Sequence, residues 1–346
     1  MLARLYILMP YTLTVAEGEQ FRVYERKEGD YTVRFLPPQR DPALMFGRQP
    51  SALTLNGKPA FEANVMRIDF QKEEFDRTAA GPIDPPEDVI RRAVGDFHAR
   101  LRFTTRAAHA STVSFPWNQW KLDYTKDDGS ELETPKGYVR TRGSIQLQWS
   151  FIGISPEIWD NVFALPFGFE VPVWDGLRLD ALAALPSIGT ALVLAATSLE
   201  VFISVLLDDL VSRQSLSDSL WTWITTRDGR IFQQPSVEEQ FDVLLKEFTG
   251  HTLKEDEALW EAFKNLKSAR NSFVHEGVAM VGKTTLSKDD AAVLVGKVDN
   301  IIAKIREWIP EEMRWPVPQV QVNLEWTHTL IEQSKQSGAA DVSRCD

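Results

Sequence analysis

Cysteine is almost absent. The single thiol, Cys345, lies in a polar C-terminal stretch, so neither an intrachain disulfide nor a cysteine-based metal site is available. Basic side chains are outnumbered: 38 Lys and Arg face 49 Asp and Glu, a formal net charge of −11. The overall basic surface that gives non-specific nucleic-acid affinity is therefore missing. The deficit is uneven, with 21 Lys and Arg against 23 Asp and Glu up to residue 170, and 17 against 26 beyond it. Histidine is scarce too. His98, His109, His251 and His328 stand apart without ligand spacing, so no metal site is expected. No glycine-rich phosphate loop, nucleophile elbow or internal repeat is present, and no cofactor is expected.

Long apolar runs are few. Met1 to Pro10 is apolar but contains Arg4 and lacks a small-residue cleavage site, so it is not read as a signal peptide. Ala181 to Leu199 is uncharged over 19 residues, long enough to span a bilayer. Pro186 interrupts it, Glu200 follows it and small residues dilute it. A helix apolar nearly all round is either a membrane span or the centre of a bundle. Other helices in this chain have apolar stripes to cover it, so the bundle centre is expected, with no membrane partner and a cytoplasmic location.

What is present divides near residue 170. Before it, strand patterns dominate. Phe21–Tyr24 and Tyr31–Phe35 alternate around the turn Glu28-Gly-Asp30, and Ala60–Phe70 reads as a further strand. Arg102–Thr105, Ser111–Phe115 and Ser144–Ile152 add more. One helix is expected over 86–101. Pro86 suits its first turn, Glu87 and Asp88 suit the positive end of its dipole, and Val89, Ile90, Ala93, Val94, Phe97 and Leu101 make its stripe. Beyond 186 the periodicity is helical. Helices are expected over Ser187–Val211, Ser215–Thr225, Ser236–Gly250, Asp256–His275 and from Ser287 to Pro310. Ser236 with Glu239 forms a capping-box pattern, and Gly250 and Gly277 act as stops. The expected class is α+β: an N-terminal mainly-β domain over 1–170, a connecting segment over 171–186, an all-α bundle over 187–312 and a polar tail over 313–346.

The chemistry concentrates in Leu266-Lys-Ser-Ala-Arg-Asn-Ser-Phe-Val-His-Glu-Gly277. Arginine holds phosphate and histidine moves protons near neutral pH. Arg270 and His275 are five apart, about 140° around a helix, so one straight helix aims them poorly at one phosphate. The stretch resembles the Arg-Asn-x-x-x-His motif of the HEPN family (higher eukaryotes and prokaryotes nucleotide-binding). The resemblance spans roughly residues 187–310 and includes an earlier apolar helix carrying one acid, Glu200. It implies a HEPN-like helical bundle and a homodimer through the Arg270–His275 helix, with a composite site between two copies. It further implies metal-independent cleavage of RNA, with Arg270, Asn271 and His275 catalytic, in a toxin or antiviral effector whose N-terminal domain senses a trigger or binds substrate. The alternative is a non-catalytic nucleotide- or RNA-binding scaffold built on the same dimer. A neighbouring antitoxin or regulator is unidentified.

Duller readings stand beside these. Arg270 could pair with Glu200 or Glu276, and His275 could be a helix-end histidine favoured by the dipole. Lys267 is a weak substrate-binding candidate, as are Arg91, Arg92, Arg100, Arg102 and Arg106. The ordinary reading of that arginine group is a solvated helix face. Trp117 and Trp120 could stack bases, but such aromatics more often fill cores.

Overall fold

The first strand organises the sheet. The computed structural model describes residues 2–39, 52–73, 77–78, 81–82, 84–110, 120–125, 151–166, 168–185, 187–214, 217–226, 235–316 and 324–327. Strand β1 (Leu2–Ala16) buries every second side chain, Ala3, Leu5, Ile7, Met9, Tyr11 and Leu13, as the two-residue strand period requires. β2 (Tyr24–Glu28) and β3 (Tyr31–Phe35) form a hairpin, and β4 (Ala52–Leu55) and β5 (Lys58–Gln71) a second. The second turns on Asn56 and Gly57, both at positive φ, the conformation that a two-residue hairpin loop favours. β6 (Arg77–Thr78) and β7 (Gly81–Pro82) make a separate small ladder.

Helix α1 (Glu87–Thr105) follows, then β8 (Trp120–Thr125), β9 (Phe151–Ile154) and α2 (Pro156–Ala164). β5 lies antiparallel along one side of β1. On the other side β8 pairs with residues 2–7 and β9 runs parallel to residues 12–15. The change of partner falls at Pro10, which has no N–H to give a ladder, and the β5 register breaks there too. Val89, Ala93, Val94, Phe97 and Leu101 of α1, with Ile158, Trp159 and Val162 of α2, join the sheet's inner side chains in one core.

The second half is helical: α3 (Val173–Ala183), α4 (Ile188–Arg213) and α5 (Asp218–Thr226) come first. α6 (Val237–Glu239) runs through a π turn (Gln240–Leu244) into α7 (Leu245–Thr249). α8 (Glu257–Glu276), the hairpin β10 (Met280–Val281) and β11 (Thr284–Thr285), α9 (Lys288–Trp308) and β12 (Leu324–Thr327) complete it. The class is mixed α+β, a mainly antiparallel sheet plus the helices α1–α9 among the described residues. α3, α8 and α9 pack on α4, and Leu192, Leu199, Phe202, Ile203, Leu206 and Leu207 are buried there. Burying each such side chain is worth roughly 1.5–3 kcal/mol. By length and composition α4 could cross a membrane, and 56% of its most apolar stretch is buried within the protein. Its one fully buried hydroxyl, Ser198, donates to the Trp174 carbonyl at 2.7 Å.

Several expectations need correction. Arg102–Thr105 is the last turn of α1, not a strand. Phe103 and Thr104 are buried and continue the stripe from Phe97 and Leu101, so packing overrides the β-type composition. The strand expected from Phe21 starts at Tyr24. The connecting segment over 171–186 contains α3, and its preceding stretch contains α2. Residues 324–327 of the expected polar tail pair with β4. The strands expected over 111–115 and 144–150, together with Trp117, His328 and Cys345, lie outside the described residues. Trp120 is half-buried in β8 and packs against the sheet core.

α3 fastens the two halves. Trp174 packs edge-on to Phe202 of α4. Asp175, 1% exposed, accepts both η nitrogens of Arg106, at 2.5 and 2.9 Å. Arg178 reaches Asp175 at 3.4 Å and also binds Asp299 of α9. Arg102 donates to Asp180 at 2.6 Å. Arg106 ends α1 at φ 54, a left-handed position where glycine is usual. Its side chain makes the paired hydrogen bonds to Asp175.

Candidate site on helix α8

α8 is defined at both ends by its own residues. Asp256 accepts from the Leu259 N–H at 3.1 Å, satisfying one of the free donors of the first turn. Gly277, at φ 76, stops the helix and its N–H binds the Phe273 carbonyl at 2.9 Å. Ser272 then ties the exit to the β10 hairpin. Its hydroxyl bonds the Val278 carbonyl and accepts from the Met280 N–H at 3.1 Å. Leu259, Ala262, Phe263, Leu266 and Ala269 face the core. Lys267, Arg270 and Asn271 are half-buried at the margin of that stripe, and His275 is exposed farther round the helix.

At its C-terminal end α8 lies very close to the start of α4. A Cβ at Gly189 would come within 2.0 Å of the Phe273 ring. The absence of a side chain there permits the approach. Farther along, Ala196, Leu199 and Glu200 of α4 meet Val237, Phe263, Leu266 and Lys267 around a shallow depression.

Arg270 is half-buried and lightly bonded. Nη1 donates to Asn271 Oδ1 at 2.9 Å. Nη2 lies 3.7 Å from Glu200 Oε1, an ion pair too long for a hydrogen bond. Nε is buried with no partner among the described residues, a feature shared with Arg26, Arg102 and Arg306. Lys267 Nζ donates to Glu238 Oε1 at 2.7 Å. His275 is exposed in the last turn and has no hydrogen-bond or ion-pair partner among the described residues. Arg270 therefore pairs with Glu200, one of the two acids expected, while His275 is not brought against it within one chain. Val274 and Val278 beside His275 are exposed as well, at 55% and 44%.

The arginines of α1 are differently placed. Arg91 pairs with Glu87, and Arg92 with Asp88 at 2.9 Å, both one turn back on an exposed face. Arg100, 5% exposed, binds Asp96 at 2.8 Å and the Leu165 and Pro166 carbonyls at 2.7 and 2.8 Å. Arg102 and Arg106 are committed to α3. Four of these five arginines thus reach other elements, Arg92 through Glu28 of β2 at 3.6 Å, and none joins the α8 group.

Two residues escaped sequence reasoning. Glu238 is the partner of Lys267, 29 positions upstream, and no local pattern announces a pair so distant. His98 is not merely scattered: its Nδ1 hydrogen-bonds the Tyr11 hydroxyl inside the sheet core. Burial lowers the His98 pKa to about 4 and raises that of Tyr11 well above the usual phenol value. Its Nε2 has no partner among the described residues. Among the described residues no three of His, Cys, Asp and Glu are grouped to hold a metal ion. No family model, curated protein or solved structure matches this chain.

Proposed function

We propose that the α4–α9 region is a HEPN-type bundle and that the protein is a metal-independent endoribonuclease of the toxin or antiviral-effector kind. The observation that carries this reading is the state of Arg270. It is a half-buried guanidinium with one hydrogen bond, a loose carboxylate at 3.7 Å and a bare Nε. An anion bearing several oxygens would complete it. His275 lies beyond it on the same helix, exposed and unengaged. The pairing of Glu200 on α4 with Arg270 on α8 supports the reading.

The reaction needs little else. The 2′-hydroxyl oxygen of one ribose attacks the adjacent phosphorus, and the bond from phosphorus to the 5′ oxygen of the next nucleotide breaks. His275 takes the 2′ proton or gives one to the leaving oxygen. Arg270 neutralises charge on the non-bridging oxygens, and Asn271 holds the guanidinium in place. The products are a 2′,3′-cyclic phosphate and a 5′-hydroxyl. Since Arg270 and His275 diverge by about 140° on one helix, each site combines Arg270 of one copy with His275 of another across a two-fold axis.

The test is complementation in EDTA. Arg270→Ala and His275→Ala should each be inactive on RNA. Mixed and allowed to exchange subunits, they should regain about a quarter of parental activity, because half the dimers then carry one intact composite site. A mixture as dead as its components would exclude the shared site. A second reading, a non-cleaving RNA- or nucleotide-binding scaffold, is favoured by one observation: nothing within the described residues orients His275. That reading predicts RNA binding without cleavage in the parent.

A further inference from the structure

α6 starts with a reciprocal cap that assigns its two glutamates different tasks. Ser236 Oγ accepts from the Glu239 N–H at 3.2 Å, and Glu239 Oε2 accepts from the Ser236 N–H at 2.6 Å. Glu239 is thereby consumed. Glu238 is left free to cross to α8, where it binds Lys267 at 2.7 Å. Lys267 and Arg270 are three apart and share a helix face. Two carboxylates from two other helices, Glu238 and Glu200, thus stand against the two cations of this face, and Glu200 and Lys267 border a depression with Leu199, Phe263 and Leu266.

We infer that Glu238 is a tethered counter-ion on Lys267, occupying the place that an RNA phosphate takes, so that substrate engages by exchanging carboxylate for phosphate. The inference rests on the RNA reading of α8. Its physical content is specific. A lysine that meets phosphate normally releases a mobile counter-ion, and that release is why affinity falls with salt. When the counter-ion is a side chain fixed to the protein, Lys267 releases no ion to bulk on binding. Glu238 therefore weakens RNA binding and also flattens its salt dependence. This suits a chain of net charge −11, whose acidic surface already opposes nucleic acid.

The experiment measures binding of a 2′-O-methyl RNA oligonucleotide, which cannot be cut, by fluorescence anisotropy across a salt series. Glu238→Gln should bind about threefold to tenfold more tightly, and its log–log salt slope should steepen by about 0.7. Glu247→Gln, which makes the same change in net charge at an exposed position of α7, should stay within about twofold of parent. Lys267→Ala should bind more weakly, and adding Glu238→Gln to it should change nothing. The inference is overturned if Glu238→Gln binds no tighter than parent while melting normally. It is equally overturned if Glu247→Gln gains as much, or if the gain persists without Lys267. If neither parent nor any variant binds the oligonucleotide, the RNA reading falls and this inference with it. If parent binds and Arg270→Ala does not, yet Glu238→Gln is unchanged, only the inference falls.

Discussion

Helices α1 and α8 carry the same two kinds of side chain and use them in opposite ways. The four arginines of α1 and Arg106, which caps it, each have a carboxylate within 3.0 Å, and His98 is sealed in the core against Tyr11. On α8 the nearest carboxylate to Arg270 is 3.7 Å away, and His275 is exposed with no partner among the described residues. An arginine satisfied by its own protein is architecture. One left incomplete at the surface has donors for a ligand. Arginine is denser on α1, yet the guanidinium with the looser partners is on α8.

The largest expected effect lies on the architectural side. Asp175→Asn removes the charge that holds Arg106 and Arg178, and breaking a buried pair typically costs about 3–5 kcal/mol. Urea denaturation would measure it. A loss below about 1 kcal/mol would place Arg106 in the same class as Arg270 and break the comparison.

The buried His98 of α1 gives the next test. Burial holds the His98 pKa near 4, while in the unfolded chain it titrates near 6.5. As pH falls between those values the unfolded state binds the proton first. The stability is therefore fully present above about pH 6.5 and is lost progressively toward pH 4, by about 3 kcal/mol. The difference between parent and His98→Phe in denaturant midpoint should change across that window and nowhere else. A pH-independent difference would refute the burial argument.

Gly189→Ala tests the contact that positions α8. The added methyl meets the Phe273 ring, and overpacking of this kind costs about 1–3 kcal/mol. An unchanged melting temperature would mean that Phe273 swings aside freely. Smallest is Arg270→Ala, expected to shift stability by less than about 1 kcal/mol because its ion pair is loose and a third exposed. A loss as large as that from Asp175→Asn would make Arg270 another strut.

Much of the helical half was legible because its ends are written locally. Ser236 with Glu239, Ser287 with Asp290, Gly250 and Gly277 mark boundaries that the fold keeps. The centrality of α4 follows from its all-round apolar surface. The motif residues were legible as a linear pattern, and Glu200 as a partner of Arg270. What was not legible depends on contacts distant in sequence. α3 looked like a linker because Pro172 and Pro186 bracket it, yet Trp174, Asp175 and Arg178 are fixed by α1, α4 and α9. The end of α1 looked strand-like because Phe103 and Thr104 favour strands in isolation. The pairing of residues 324–327 with β4, and of Glu238 with Lys267, leaves no local trace.

The most direct measurement uses two oligonucleotides in EDTA, one all-ribose and one with a 2′-deoxy substitution at the cleaved position. The account predicts that parent cuts only the ribose strand, leaving a 2′,3′-cyclic phosphate, and that His275→Ala cuts neither while melting within about 1 kcal/mol of parent. Equal cutting of the ribose strand by parent and His275→Ala would contradict the assignment of the site to α8.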